Sequence, residues 1–341
     1  MHKYTKLQEI RAKCELKRRK KSWKNRKAIN KKNRRKSILK YVEELKKPTI
    51  NHDAPINFSF VHNPDEVLNY LSEAKAYLKA KNKVGFNISK IEILTPDAIA
   101  LLIANLNDAE FHFKSGFIGN APNNPELNKL FVQSGFYNFV KSRGFKPVAH
   151  GNLLHKESDF KVKPTIAQQA TYVGVKHTLN SEIPFEPLYE ILIECMSNTN
   201  NHASKNRADK CNWWLYVYND PKTQKTSYSF FDLGVGIFES IIVKKYILNL
   251  VKGSFLYKNI NIVEDLLSGK IQSRISEDNE IRGKGIPQIV SSSKLDAFDN
   301  FYMISNDVKI NLKTEECFQL KHNLKGTFLY WELLPPKIES E

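Results

Sequence analysis

The chain has little of what several function classes require. Its four cysteines, Cys14, Cys195, Cys211 and Cys317, are scattered through 341 residues with no CxxC pair. That argues against a zinc site and a disulfide framework, and it fits a reducing cytoplasm. No apolar run approaches the roughly 20 residues needed to cross a bilayer. The charged N-terminus is not followed by the apolar core of a secretory signal, so the expectation is a cytoplasmic protein with no membrane insertion. GxxxxGK[ST] is missing, and neither glycine pair in the second half extends to GxGxxG, so P-loop and Rossmann nucleotide sites fit poorly. His150, His155 and His177 have no Cys or carboxylate partners at ligand spacing and read as ordinary surface histidines.

What is abundant is positive charge, and it is concentrated. Of 53 Lys and Arg and 36 Asp and Glu, residues 1–48 hold 20 and 4, which leaves 33 and 32 for everything else. The net charge of +17 therefore belongs almost wholly to one segment. That segment has no glycine, has no proline before Pro48, and has too few apolar residues before Ile38 to bury a core. A basic arm is expected, helical or partly disordered, with residues 38–45 packing on the body. Its partner could be DNA or RNA phosphates, where each neutralised phosphate releases counterions, or another anionic surface. A plain solubilising tail is the remaining reading. No groove-reading motif is visible, so sequence specificity is not implied.

From Asn57 strands and helices alternate. INFSFVH, VGFNIS and FHFKSGFIGN read as strands, and DEVLNYLSEAKAYLKA, TPDAIALLIANL and PELNKLFVQSGF as helices. Alternation of this kind predicts parallel pairing with helices on the sheet. The run VGFNISKIEILTPDAIALLIANL, followed by GNAPNNPELNKLFVQSGFYNFV, resembles the STAS fold of anti-sigma-factor antagonists over residues 55–142. In that fold a short loop after a strand caps a helix and carries a phosphorylatable serine. This chain has Asp97 at that place, with Thr95 two residues earlier, and a fixed carboxylate cannot be switched by a kinase. Pro147, Gly151, Pro164 and Pro184 then punctuate a polar stretch, read as a linker over 146–160.

The second half is organised around EILIECMSNTNNH. Glu190, Glu194, Asn198 and His202 recur every four residues, which on a helix drifts only about 40° per step and lines up a polar stripe. Leu188, Ile191, Leu192 and Cys195 fall on the opposite side. Pro187 sits near the expected helix start, where its missing N–H loses nothing. CNWWLYVYN and TSYSFFD follow as antiparallel strands joined by DPKTQK, and the second runs into Asp232-Leu-Gly234-Val-Gly236. This places a carboxylate beside backbone that a ligand can approach closely. Arg282-Gly283-Lys284-Gly285 then opens onto a helix, where free N–H groups and positive charge make an anion site. The last strand begins Gly326-Thr327.

In this order and spacing, the boxes resemble the GHKL superfamily of gyrase, heat-shock chaperone, histidine-kinase and mismatch-repair ATPases. The resemblance covers residues 160–335. It implies a Bergerat α/β sandwich with a mixed, mostly antiparallel sheet, binding ATP between its helical layer and a flexible lid over 237–282. Asn198 would ligate Mg²⁺, and Glu194 would be the general base that activates water or a hydroxyl. Asp232 would accept from the adenine amino group, with Thr327 supporting it through water. Gly234 and Gly236 would admit the nucleotide, and Arg282, Gly283, Lys284 and Gly285 would close over its phosphates. His202 matches a position common in the anti-sigma and histidine-kinase branches, for contact with nucleotide or for helix packing.

The expected organisation is thus an α/β chain: basic arm 1–48, STAS-like domain 49–145, linker 146–160 and GHKL domain 161–336. The favoured reading is an Mg²⁺-dependent ATPase whose lid closure alters how the STAS-like domain and arm engage a partner, either protein or nucleic acid. An anti-sigma-type serine/threonine kinase and a non-hydrolysing ATP-binding scaffold on nucleic acid are the alternatives. A homodimer is compatible with each.

Overall fold

A computed structural model describes residues 49–108, 117–140, 153–157, 162–202, 212–240, 258–271 and 285–336, with a few positions between 15 and 33. The packing predicted for residues 38–45 lies outside the described residues. The chain is an α/β protein built on two main sheets.

In the N-terminal half, β1 (Thr49–Asp53), β3 (Lys83–Asn87) and β5 (Phe117–Gly119) pair in parallel in the order β1-β3-β5. A two-residue parallel pair joins β2 (Asn57–Phe58) to β4 (Ile93–Leu94). The helices are α1 (Pro64–Lys79), α2 (Pro96–Asn107), α3 (Pro125–Gln133) and the single turn α4 (Phe136–Phe139). The strand expected over INFSFVH stops at Phe58 for a local reason. The Asp97 carboxylate accepts the N–H groups of Phe60 and Val61, both at 2.9 Å, and holds that stretch in a turn.

Helix α2 explains an oddity of its sequence. IALLIANL is apolar on every side, and residues 97 to 104 are all buried together with Leu106. A helix of that kind must be covered all round. One flank meets its own unit, and the other packs against the sheet of the C-terminal half.

That sheet has the order β6-β7-β8-β10-β9 and comprises β6 (Leu153–Glu157), β7 (Trp213–Asn219), β8 (Thr226–Asp232), β9 (Phe298–Asn311) and β10 (Cys317–Leu333). Every pairing is antiparallel, where a mixed sheet was expected. Strand β6 falls inside the stretch 146–160 read as a linker and pairs with β7 from Leu153–Val217 to Glu157–Trp213. One face of the sheet carries α5 (Pro164–Thr178), α6 (Glu186–His202), the short α7 (Ile237–Ser240) and α8 (Val263–Leu267), and α9 (Gly285–Ser293).

Period-two alternation sends neighbouring residues of each strand into two separate cores. Trp213, Leu215, Phe230, Met303 and Leu329 face the helical layer. Trp214, Tyr216, Phe231, Ile304 and Phe328 face the N-terminal half and share a core with α1 and α2. Polar ties seal that contact. Phe60 meets Phe328 edge to face at 4.8 Å, and Lys309 Nζ donates to the Val61 carbonyl at 2.6 Å. Asp65, in the first turn of α1, accepts the N–H groups of Lys321 and His322 at 2.7 and 3.0 Å. Those two amides lie where the β9–β10 register slips between Gln319 and Leu324.

Candidate functional site

The polar stripe lies on α6. Leu188, Ile191, Leu192, Cys195 and Met196 are buried, while Glu190, Glu194 and Asn198 are half-buried. The stripe faces α9. A Cβ added to Gly285, the first residue of α9, would lie 2.6 Å from Glu194 Oε2 and 3.0 Å from Asn198 Oδ1. Glycine is therefore what lets the start of α9 rest on these two side chains. One turn further along α9 and one turn back along α6, Gln288 Nε2 donates to Glu190 Oε2 at 3.3 Å. Glu190, which the sequence marks only as part of the stripe, thus ties α9 to α6. Partial burial raises the Glu194 carboxyl above its ordinary range, and the nearby Glu190 charge adds to that. His202 ends the helix, but its side chain lies outside the described residues, as do Arg282, Gly283 and Lys284. Parts of the expected lid, 241–257 and 272–282, also lie outside them.

Asp232 ends β8 and is 5% exposed. Its Oδ1 accepts the Gly234 N–H at 2.8 Å, and Thr199 Oγ1 lies 3.5 Å from Oδ2. Burial pushes this carboxyl from 3.8 up to about 6, against the pull of the bonds from Gly234, Thr199 and the Thr327 backbone. Thr327 stands directly opposite Asp232 in the β8–β10 ladder, so both side chains project into the helical layer. Gly326 has φ +122°, and a Cβ there would lie 2.0 Å from the Asp232 carbonyl oxygen. No other residue type permits that approach.

Three residues that sequence reasoning missed brace this end of the sheet. Ser305 Oγ accepts the Ile237 N–H at 2.8 Å and donates to the Gly326 carbonyl at 3.0 Å. Asn306, at φ +51°, accepts the Phe238 N–H through Oδ1 at 3.2 Å and donates to the Val235 carbonyl at 3.0 Å. Gly236, at φ +86°, lies so close to Asn306 that a Cβ would fall 2.4 Å from its Oδ1. Thr199 donates to the Cys195 carbonyl at 3.1 Å beside Asp232. A signal existed in the polar pair Ser305-Asn306, which interrupts an otherwise largely apolar strand. It marks the bulge where the β9–β10 register shifts between Leu324 and Thr327.

The arrangement thus has two poles on one face of the sheet. One is a buried carboxylate with hydroxyls around it at the ends of β8 and β10. The other is a half-buried carboxylate and an amide under a glycine that opens a helix. Among the described residues no group of three His, Cys, Asp or Glu side chains could hold a metal ion, and no helix is long and apolar enough to cross a membrane. Of the three histidines of the 150–177 stretch, the two within the described residues serve locally: His155 lies 3.6 Å from Glu157, and His177 Nε2 is 3.0 Å from the Asp220 carbonyl.

No family model matches the chain, and no curated protein matches it. One similar solved structure is the histidine kinase domain from Erythrobacter litoralis EL346 blue-light activated histidine kinase. It is 11% identical, with a TM-score of 0.22, over 78% of this chain and 93% of that one. A likeness of that size carries no weight for the function of this chain.

Proposed function

We propose that the chain is a GHKL-type ATP-binding enzyme whose nucleotide lies between α6, the start of α9 and the strand ends at Asp232 and Thr327. The observation that carries this reading is the contact of Gly285 with both Glu194 and Asn198, on the same sheet face as the buried Asp232 carboxylate. A phosphate chain needs free N–H groups at a helix start, and a nucleobase needs a dry, oriented acceptor. The start of α9 and the Asp232 carboxylate would supply them from the edges of one layer.

The donor set fits Mg²⁺, which binds few protein ligands and keeps phosphate oxygens and waters. Asn198 Oδ1 would hold it, and the ion would neutralise phosphate charge when bound. Glu194, one turn from Asn198 and half-buried, would take the proton from the attacking water. Gln288 and Glu190 keep α9 seated so that Gly285 stays against both side chains. The Arg282 and Lys284 charges would add to the helix-start field. His202 would face nucleotide or pack the helix end.

The STAS-like reading of the N-terminal half rests on its alternating pattern and its parallel three-stranded sheet. Asp97 is buried in the contact with the C-terminal sheet, and the Thr95 hydroxyl oxygen is buried too. Neither is open to a phosphoryl donor in cis, which favours hydrolysis over self-phosphorylation. Incubation with γ-labelled ATP and Mg²⁺ tests this. Free labelled phosphate is expected, and label on protein with none released would replace the ATPase reading with a kinase one. The basic arm would hold DNA or RNA near the ATPase. Deleting residues 1–48 should abolish salt-sensitive nucleic-acid binding, and unchanged binding would reject the arm as the contact.

A further inference from the structure

We propose that Ser305 sets the polarity of the nucleobase pocket, so that it selects a purine bearing an amino group at position 6 over one bearing a keto oxygen. The inference rests on the nucleotide reading above and adds to it the residue that decides the base.

A serine hydroxyl has one proton to give and two lone pairs to receive with. Ser305 Oγ lies 3.0 Å from the Gly326 carbonyl oxygen and 3.5 Å from Asn306 Oδ1. Both of these are acceptors. The orientation of the Asn306 amide is fixed because Oδ1 takes the Phe238 N–H and Nδ2 gives to the Val235 carbonyl. The Ser305 proton therefore goes to Gly326. From the other side the Ile237 N–H donates into Ser305 Oγ at 2.8 Å, which occupies one lone pair. What remains for Thr327 Oγ1, at 3.3 Å, is the second lone pair, so Thr327 must be the donor in that contact.

Thr327 has then spent its only proton on Ser305 and can offer the helical layer nothing but lone pairs. Asp232, directly opposite on β8, is also an acceptor when ionised. The two facing side chains thus present acceptors alone. Adenine carries an N6 amino donor at its edge, where hypoxanthine and guanine carry the O6 acceptor. An amino group satisfies this wall directly or through one water. A keto oxygen places acceptor against acceptor and leaves buried groups unpaired, the situation that gives binding sites their strongest discrimination.

The test is the ratio of Kd values for ITP and ATP, measured by calorimetry on the full chain with Mg²⁺ at pH 8, where Asp232 is ionised. Wild type should favour ATP by about tenfold or more. Ser305→Ala frees the Thr327 hydroxyl to rotate and donate, and the ratio should fall severalfold. Any loosening of the 233–238 turn weakens both nucleotides alike and cancels in the ratio. Thr327→Val should lower the ratio as well, and in that background Ser305→Ala should change it no further. If Ser305→Ala does not fold, Ser305→Cys, whose thiol is only a weak acceptor and donor, takes its place in the same measurement with the same expected fall. An undiminished ratio in either variant overturns the assignment while leaving the nucleotide reading intact. A wild-type chain that binds neither nucleotide overturns both.

Discussion

Replacing Asp232 by Asn should stabilise the nucleotide-free protein at pH 7 and give no gain at pH 4. Burial raises the carboxyl from 3.8 to about 6. Its folded-state pKa thus lies above its unfolded value, and the folded chain binds the proton more tightly. Below about pH 4 both states are protonated and no penalty applies. As pH rises through about 6 the folded state must carry a buried charge, and stability is lost. At about 1.4 kcal/mol per tenfold change in proton affinity, the full penalty is ~3 kcal/mol at pH 7. An amide keeps the bond from Gly234, but its NH2 cannot accept where the second carboxylate oxygen did, a loss of about 1 kcal/mol. The net gain expected at pH 7 is therefore about 1–2 kcal/mol, turning into equality or a small loss at pH 4.

Urea midpoints for both proteins at the two pH values, with matched slopes, read this out. Asp97, the other buried carboxyl that burial raises, is common to both proteins and cancels in the difference. A constant destabilisation of the variant at both pH values would refute the reasoning, because it would mean that the carboxylate is well solvated or fully compensated. Adding ATP analogue should reverse the order at pH 7. A ligand amino group stabilises the ionised form of Asp232 and has less to gain from an amide.

The site and its support lead to further expected outcomes. Glu194→Gln should keep ATP binding within a few-fold and lose at least about a hundredfold in turnover; normal turnover in a phosphate-release assay would remove Glu194 as the base. Turnover should rise with pH through a midpoint above the ordinary carboxylate range, since Glu194 works only when ionised. Glu190→Gln should move that midpoint down by removing a like charge. Gly285→Ala should leave the urea midpoint nearly unchanged, because the Glu194 side chain can yield, yet weaken Mg²⁺–ATP binding by about tenfold or more; unchanged affinity would show that the start of α9 does not close over phosphates. Phe328→Ala should cost about 3–5 kcal/mol, as large-to-small changes in buried cores do, and should shift one cooperative transition; two separate transitions by circular dichroism would show that the halves unfold apart.

The readable parts of the fold were those with a strong period or a hard backbone constraint. TPDAIALLIANL, Trp213–Asn219 and Thr226–Asp232 formed as their patterns predicted. Strands β1 and β6 were missed because TINHD and LLHKE carry too few apolar residues to show a period, and their pairing comes from neighbours. INFSFVH misled for the opposite reason: its apolar residues fill the inter-unit core from a turn that Asp97 holds. At the site, Glu194, Asn198, Asp232 and Thr327 stood out by residue type and spacing. Ser305 and Asn306 did not, because their roles depend on a register shift in β10 about 20 residues away, which no local pattern encodes.

The strand alternation also limits how a nucleotide could signal. Asp232 and Phe231, Thr327 and Phe328, and Ser305 and Ile304 are adjacent in sequence but face opposite cores. Lifting the N-terminal half away would expose Phe60, Trp214, Phe231 and Phe328 together, each at most 1% exposed in place. At roughly 25 cal/mol for every Å² of apolar surface, four such side chains amount to several kcal/mol each. It would also strand the Asp97 carboxylate and the Lys309 ammonium, which lies in the Val61 turn. That total exceeds the 1–3 kcal/mol by which one site ordinarily influences another. A nucleotide-driven swing of the N-terminal half is therefore excluded on magnitude. Any response must run through smaller rearrangements, such as a shift of the start of α9, which rests on Glu194 and Asn198 through Gly285 and on Glu190 through Gln288.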